Sequence, residues 1–150
     1  MRLNFRRAGH KDVPAVLRLM ADDDLGKTRE DPDIALYEQA FDRIQSEGGN
    51  QVIVGETPDG EIVATYQITF ITGLSLRAAR RAQVETVRVA SAMRGQGLGQ
   101  QMFADVEARA RAAGCHLVQL TMNTSRRDAH RFYTDLGFEP SHTGFKLYLD

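Results

Sequence analysis

The feature that most constrains this chain is a glycine-rich junction, Arg94-Gly95-Gln96-Gly97-Leu98-Gly99, set between an apolar strand-like run and a long amphipathic helix pattern. Upstream, Ala82 to Val89 reads as a strand in which Val87 and Val89 share a face while Val84 falls out of step, a mismatch that one β-bulge reconciles. Downstream, Leu98, Met102, Val106 and Ala110 recur every fourth residue and Phe103 widens the stripe, so a helix packed on a sheet and ended by Gly114 is expected. Glycines in a strand-to-helix turn let backbone N–H groups approach a phosphate closely, and the helix dipole adds attraction for anions. The same glycines also suit a plain tight connection. The spacing is not the dinucleotide fingerprint, which needs a further residue between its second and third glycines and follows the first strand of its fold. The loop also lacks the Gly-Lys-Ser/Thr of a nucleoside triphosphatase.

The flanking sequence supplies the rest of a layered domain. Leu3 to Ala8 alternates like a short strand, and Asp12 offers an N-cap to a helix carrying Val13, Val16, Leu17 and Met20, with Pro14 in its first turn. Asp22 to Glu30 reads as a polar loop. Asp31-Pro32 reads as the N-cap and first residue of a helix through Ile34, Tyr37, Phe41 and Ile44, ended by Gly48-Gly49. Gln51 to Glu56 and Glu61 to Phe70 are strands joined across the turn formers Thr57-Pro58-Asp59-Gly60, and Gly73 to Arg81 is a basic loop. His116 to Thr121 suits a buried strand. Ser125-Arg126-Arg127-Asp128 has the form of a capping box opening a helix with Ala129, Phe132, Tyr133 and Leu136, and Gly137 is its C-terminal cap. Phe138 to Leu149 is expected to form one or two short strands. This order predicts a single α/β domain over residues 1–150, a mixed sheet with helices on both faces, which suits 150 residues of which 42% are hydrophobic.

Two of these segments together resemble one superfamily. Arg94-x-x-Gly97-x-Gly99 after a strand is similar to the Arg/Gln-x-x-Gly-x-Gly/Ala pyrophosphate loop of GNAT N-acetyltransferases. Ala129-His130-Arg131-Phe132-Tyr133-x-x-Leu136-Gly137-Phe138 resembles that superfamily's C-terminal helix and strand, at a fitting spacing. The resemblance runs from Gln51 onward, and the first two helices match in type and position only. Within the superfamily, Arg127 to Tyr133 with Ser141-His142 is most similar to the aminoalkylphosphonate N-acetyltransferase subgroup.

The resemblance implies a mostly antiparallel mixed sheet with a splayed central strand pair, and acetyl-coenzyme A as co-substrate. Arg94, Gly95, Gln96, Gly97, Leu98 and Gly99 would hold the pyrophosphate. Val87, Arg88 and Val89 would line the pantetheine arm, with Asn123 and Tyr133 beside it. The Val89 backbone N–H would polarise the thioester carbonyl, and Tyr133 would protonate the departing thiolate. Glu85, on the Val87 and Val89 side of an ideal strand, would take the amine proton directly or through water, although a bulge can switch that face. Plainer readings stand beside these: Glu85 as a solvated or ion-paired strand residue, Tyr133 as a core tyrosine with a satisfied hydroxyl, and Asn123 as a turn former.

Charge and cysteine content narrow the partners. With 19 Lys and Arg against 20 Asp and Glu, no global field favours nucleic acid or an anionic membrane, and a nucleic-acid reading of Arg77 to Arg88 lacks stacking aromatics. The single cysteine, Cys115, excludes an internal disulfide framework, and no Cys/His cluster has metal-site spacing, so no metal is expected. Cys115 reads as core and His130 as structural or exposed. The N-terminus lacks an apolar signal region, which predicts a cytoplasmic protein. For the acceptor, Asp22-Asp23-Asp24 and Glu30-Asp31 would suit a cationic amine, and Arg77, Arg80 and Arg81 an acidic group. Both sets are also ordinary solvated surface. The expected function is acetyl transfer to a primary amine of a small molecule. A protein amine is the alternative within the class, and a non-catalytic coenzyme A-binding sensor or interaction module is the alternative outside it. Sheet edges near the C-terminal strands, and the habits of the family, suggest a homodimer.

Overall fold

The computed structural model describes residues 1–22 and 33–150. The elements in order are β1 (Asn4–Arg7), a 3-10 turn (His10–Asp12), α1 (Val13–Ala21), α2 (Ile34–Ser46), β2 (Asn50–Glu56), β3 (Ile62–Thr72), β4 (Arg80–Val89), a second 3-10 turn (Ser91–Met93), α3 (Leu98–Ala112), β5 (Leu117–Leu120) and α4 (Arg127–Asp135). The five strands lie side by side in chain order. The first three pairings are antiparallel, and β4–β5, joined through α3, is the parallel pair. This is the expected α/β layered architecture with a mostly antiparallel sheet. The chain forms two compact units, Met1–Gln119 and Leu120–Asp150, which are taken separately.

In the first unit the sheet separates two helical layers. Val52 pairs with Gln67 and Val54 with Thr65, so these side chains share the face covered by α1 and α2. Tyr66, Ile68 and Val84 point to the other face, where the α3 stripe of Leu98, Met102, Phe103, Val106 and Ala110 is wholly buried, as its spacing predicts. A polar network fastens α3 to this face. The Tyr66 hydroxyl donates to Asp105 at 2.6 Å, Arg109 Nε donates to the same carboxylate at 2.7 Å, and Arg109 also reaches the Phe5 carbonyl at 3.2 Å. Burial and the adjacent Asp105 carboxylate push the Tyr66 phenol well above its ordinary range, so it stays a donor.

Asp12 makes no side-chain cap for α1. Its carboxylate is buried, takes a two-pronged contact from Arg6 at 2.7 and 3.1 Å, and accepts the Gly9 N–H at 2.7 Å. The Arg6 hydrogen bonds hold the carboxyl below its ordinary value against the opposing effect of burial. A carboxyl held low stabilises the fold above its unfolded-state pKa, near 3.9, and that contribution is lost as pH falls through the folded-state value. Asp12→Ala is expected to cost about 2 to 3 kcal/mol near pH 7, because it strands Arg6 and the Gly9 N–H. Urea unfolding of both proteins should show the difference shrinking below about pH 4.

Several expectations change. Asp31-Pro32 lies outside the described residues, and the described α2 begins with Asp33 as N-cap, its carboxylate accepting the Ala35 N–H at 3.0 Å. The basic loop contains one left-handed turn, with φ of 54°, 62° and 59° at Leu76, Arg77 and Ala78. β5 is half-buried rather than buried, as suits the edge of the sheet. In the second unit α4 has no capping box, because the Ser125 hydroxyl and N–H donate instead to Asn123 Oδ1 at 2.7 and 3.0 Å. Residues 138–150 form no strand, and Phe145, Leu147 and Leu149 stand exposed. A strand needs a ladder partner for its alternate N–H and C=O groups, and the sequence pattern alone does not supply one.

Candidate functional site

The bulge expected in β4 is present. Gln67 pairs with Glu85 and Thr65 with Arg88, so Thr86 and Val87 together stand opposite the single residue Tyr66. Thr86 adopts φ of 54°, a left-handed conformation that a β-branched residue enters only under strain. The extra residue resolves the Val84 mismatch: Val84 and Val89 lie opposite Ile68 and Ala64 on the α3 face, while Glu85 and Arg88 share the α1–α2 face with Gln67 and Thr65. Glu85 is therefore turned away from Val89, unlike on an ideal strand, and is solvent-exposed.

β4 and β5 start together: the His116 N–H donates to the Arg80 carbonyl at 2.7 Å, and Gln119 Nε2 to Gln83 Oε1 at 2.7 Å. From this register, β5 ends beside Val84, and Glu85 to Val89 run on past its paired length. That leaves backbone polar groups around Val87 and Val89 without a β5 ladder in the first unit, the condition needed for a ligand to add itself along the strand.

The strand delivers the chain into the glycine loop through Ser91–Met93. Asp22 pins this turn, its carboxylate accepting the Ser91 N–H at 2.8 Å and hydroxyl at 3.0 Å. Gly95 and Gly97 then take φ of 81° and 76°, and Gly97 caps α3. At Gly97 an added Cβ would meet nothing nearer than 3.8 Å, so its backbone conformation, rather than space, demands glycine. The first intrahelical bond of α3 runs from the Gln101 N–H to the Gly97 carbonyl at 3.3 Å, which leaves the N–H groups of Leu98, Gly99 and Gln100 at the helix mouth. Arg94, Gly95, Gln96 and Gly97 are exposed, whereas the Leu98 side chain is core and offers only its backbone. These residues fit a pyrophosphate: donors without helical partners, a positive helix end and one arginine.

On the other sheet face an apolar cavity of about 200 Å³ lies between α1, α2 and the strands. Val16, Leu17 and Met20 form one wall, Ala40, Phe41 and Ile44 another, and Thr65, Gln67 and Thr86 the floor. The cavity thus reaches the bulge itself, beside Glu85.

The remaining expected residues divide clearly. Arg80 donates to the Ala113 carbonyl and Thr72 and lies 5.6 Å above the Phe70 ring, and Arg81 donates to Gln119 and Ser75, so both hold the fold together. Asp23, Asp24, Glu30 and Asp31 lie outside the described residues. His130 is exposed, and no group of three or more metal-binding side chains occurs among the described residues. Cys115 is half-buried, with burial raising its thiol pKa, which is unsuited to a nucleophile. In the second unit Tyr133 is half-buried, its ring edge-on to Phe132 at 5.3 Å and Phe138 at 5.8 Å. Asn123 Oδ1 shapes the turn before α4, as its plainer reading expects. Asp22 and Ser91 position the loop and were not legible as a pair, being 69 residues apart.

Comparison with known proteins bears on this arrangement. A family model described as the acetyltransferase (GNAT) family matches residues 15–138. An aminoalkylphosphonate N-acetyltransferase of Salmonella typhimurium is 44% identical over 63 residues, 42% of this chain and 41% of that protein, so the match spans less than half of that relative's length. A crystal structure of a transcriptional regulator from Bacillus halodurans C-125 superposes with a TM-score of 0.93 at 39% identity, over 99% of this chain and 100% of the other. The fold is also that of glucosamine-6-phosphate N-acetyltransferase from Arabidopsis thaliana, with a TM-score of 0.80 at 21% identity over the whole of both chains.

Proposed function

Because this chain belongs to the acetyltransferase (GNAT) family, whose members use acetyl-coenzyme A, we propose that it transfers an acetyl group to a primary amine of a small molecule by direct attack. The observation that carries the reading is one continuous segment: a bulged strand that outruns its neighbour, followed by an exposed glycine turn at a helix N-terminus. Arg94 and the N–H groups from Gly95 to Gly99 bind the pyrophosphate. Val87, Arg88 and Val89 receive the pantetheine arm, and Asn123 bonds it through groups its turn leaves free. Acetyl-coenzyme A supplies a thioester whose carbonyl carbon the amine attacks. The Val89 N–H polarises that carbonyl, a preorganised contribution worth about 3 to 4 kcal/mol. Glu85 takes the amine proton directly or through one water, and Tyr133 gives a proton to the sulfur as its bond to carbon breaks. A homodimer in the cytoplasm is part of this reading. The exposed Phe145, Leu147 and Leu149 support the dimer, and no described helix is long and apolar enough to cross a membrane.

A second reading is a coenzyme A-binding module without turnover, favoured by the relative described as a transcriptional regulator. Release of free thiol from acetyl-coenzyme A with a panel of amines separates the two, since binding without thiol release supports the module. The cofactor site is tested by Gly97→Leu, which forces a side chain into φ of 76°. It is expected to weaken coenzyme A binding about 10-fold or more in a folded protein, because the left-handed conformation costs a non-glycine residue about 1 to 2 kcal/mol and the turn relaxes to avoid it. Calorimetric titration measures this; unchanged affinity here and in the matching Gly99 variant removes the assignment.

A further inference from the structure

We infer that the acceptor amine carries an uncharged apolar substituent, which the cavity between α1, α2 and the β4 bulge holds. This rests on the acetyl-transfer reading and departs from the phosphonate acceptor in the name of the Salmonella typhimurium relative. Three observations carry it. The first is location: Thr86 forms part of the floor and Glu85 is the register partner of Gln67, another floor residue, so a group in the cavity leaves its amine beside the carboxylate. The second is the wall. α1 and α2 contribute hydrocarbon apart from the Tyr37 phenol, and two of the floor's donors are engaged elsewhere: the Thr65 hydroxyl donates to the Ile53 carbonyl at 2.8 Å and the Gln67 amide nitrogen to Asn50 Oδ1 at 2.9 Å. No lysine or arginine lines it among the described residues, and Arg80 and Arg81 are committed to the β4–β5 end of the sheet. A phosphonate dianion against such a wall gives up hydration with no cationic partner among the described lining residues. The third is size. A dry apolar cavity of about 150 Å³ admits benzene, so about 200 Å³ takes a phenyl ring or a branched five-carbon chain.

The test compares 2-phenylethylamine with 2-aminoethylphosphonate as acceptors, following thiol release from acetyl-coenzyme A, in wild type and in two cavity-filling variants, Ala40→Leu and Val16→Phe, each checked for folding by thermal denaturation. The apolar amine is expected to have a kcat/KM about 10- to 100-fold higher, the range one buried apolar group provides. Each folded variant is expected to lower that value about 10-fold, acting through KM, and to change the phosphonate rate less than about twofold. Preference for the phosphonate, or a folded variant that leaves the 2-phenylethylamine KM unmoved, overturns the inference. If neither amine releases thiol, the wider amine panel decides the transfer reading separately. Calorimetry then decides the cavity: 2-phenylethylamine binding that is weakened by Ala40→Leu supports it as the apolar-amine site, and absence of binding overturns it.

Discussion

Replacing Tyr133 with phenylalanine is expected to lower kcat about 100- to 10,000-fold, the range for loss of a positioned general acid. The substitution keeps the ring and its edge-on contacts with Phe132 and Phe138, so folding and coenzyme A affinity should stay near wild type. Only the hydroxyl is lost, and its proposed work lies in the step where the carbon–sulfur bond breaks. The deficit should therefore shrink when the leaving thiol is less basic, because such a sulfur departs without needing a proton. Steady-state rates with an identified amine provide the measurement. A kcat within about twofold of wild type, with chemistry limiting, would assign that proton to another group or to water.

Glu85→Gln is expected to lower kcat/KM near neutral pH by about 100- to 1,000-fold, with a different pH signature. Glutamine preserves the length and polarity of an exposed side chain, so stability should change little. Without the base, the enzyme depends on amine that has already lost its proton in solution. The kcat/KM of the variant should then climb with pH until the amine is deprotonated, closing part of the gap to wild type. Profiles that superimpose within about twofold across that range would leave Glu85 as a solvated strand residue.

The parts of the fold readable in advance were those written in local spacing. The fourfold recurrence of Leu98, Met102, Val106 and Ala110 places one helix face in the core because a helix repeats every 3.6 residues. The Val84 mismatch announces a bulge because strand side chains alternate strictly. What escaped depended on residues distant in the chain. Arg6 and Asp12 together bury a carboxylate whose position suggests a helix cap, and Tyr66 meets Asp105 across 39 residues. The cavity draws walls from two helices and a floor from three strands, and no single segment hints at its volume. The glycine loop lies between these cases: its composition signals an anion site, while only the left-handed φ at Gly95 and Gly97 shows why those positions exclude side chains.

The extra residue in β4 also gives the strand a parity. Upstream of Thr86, odd-numbered positions such as Gln83 and Glu85 share one face; downstream, Arg88 occupies that face and the numbering has changed from odd to even. Straightening the bulge with every residue kept would turn one half of the strand over and exchange an exposed carboxylate for a core valine, whereas removing the extra residue leaves both faces as they are. A one-residue change in the length of β4 therefore keeps the relation between cavity and loop only where the bulge absorbs it, as removal of the extra residue between Glu85 and Arg88 would.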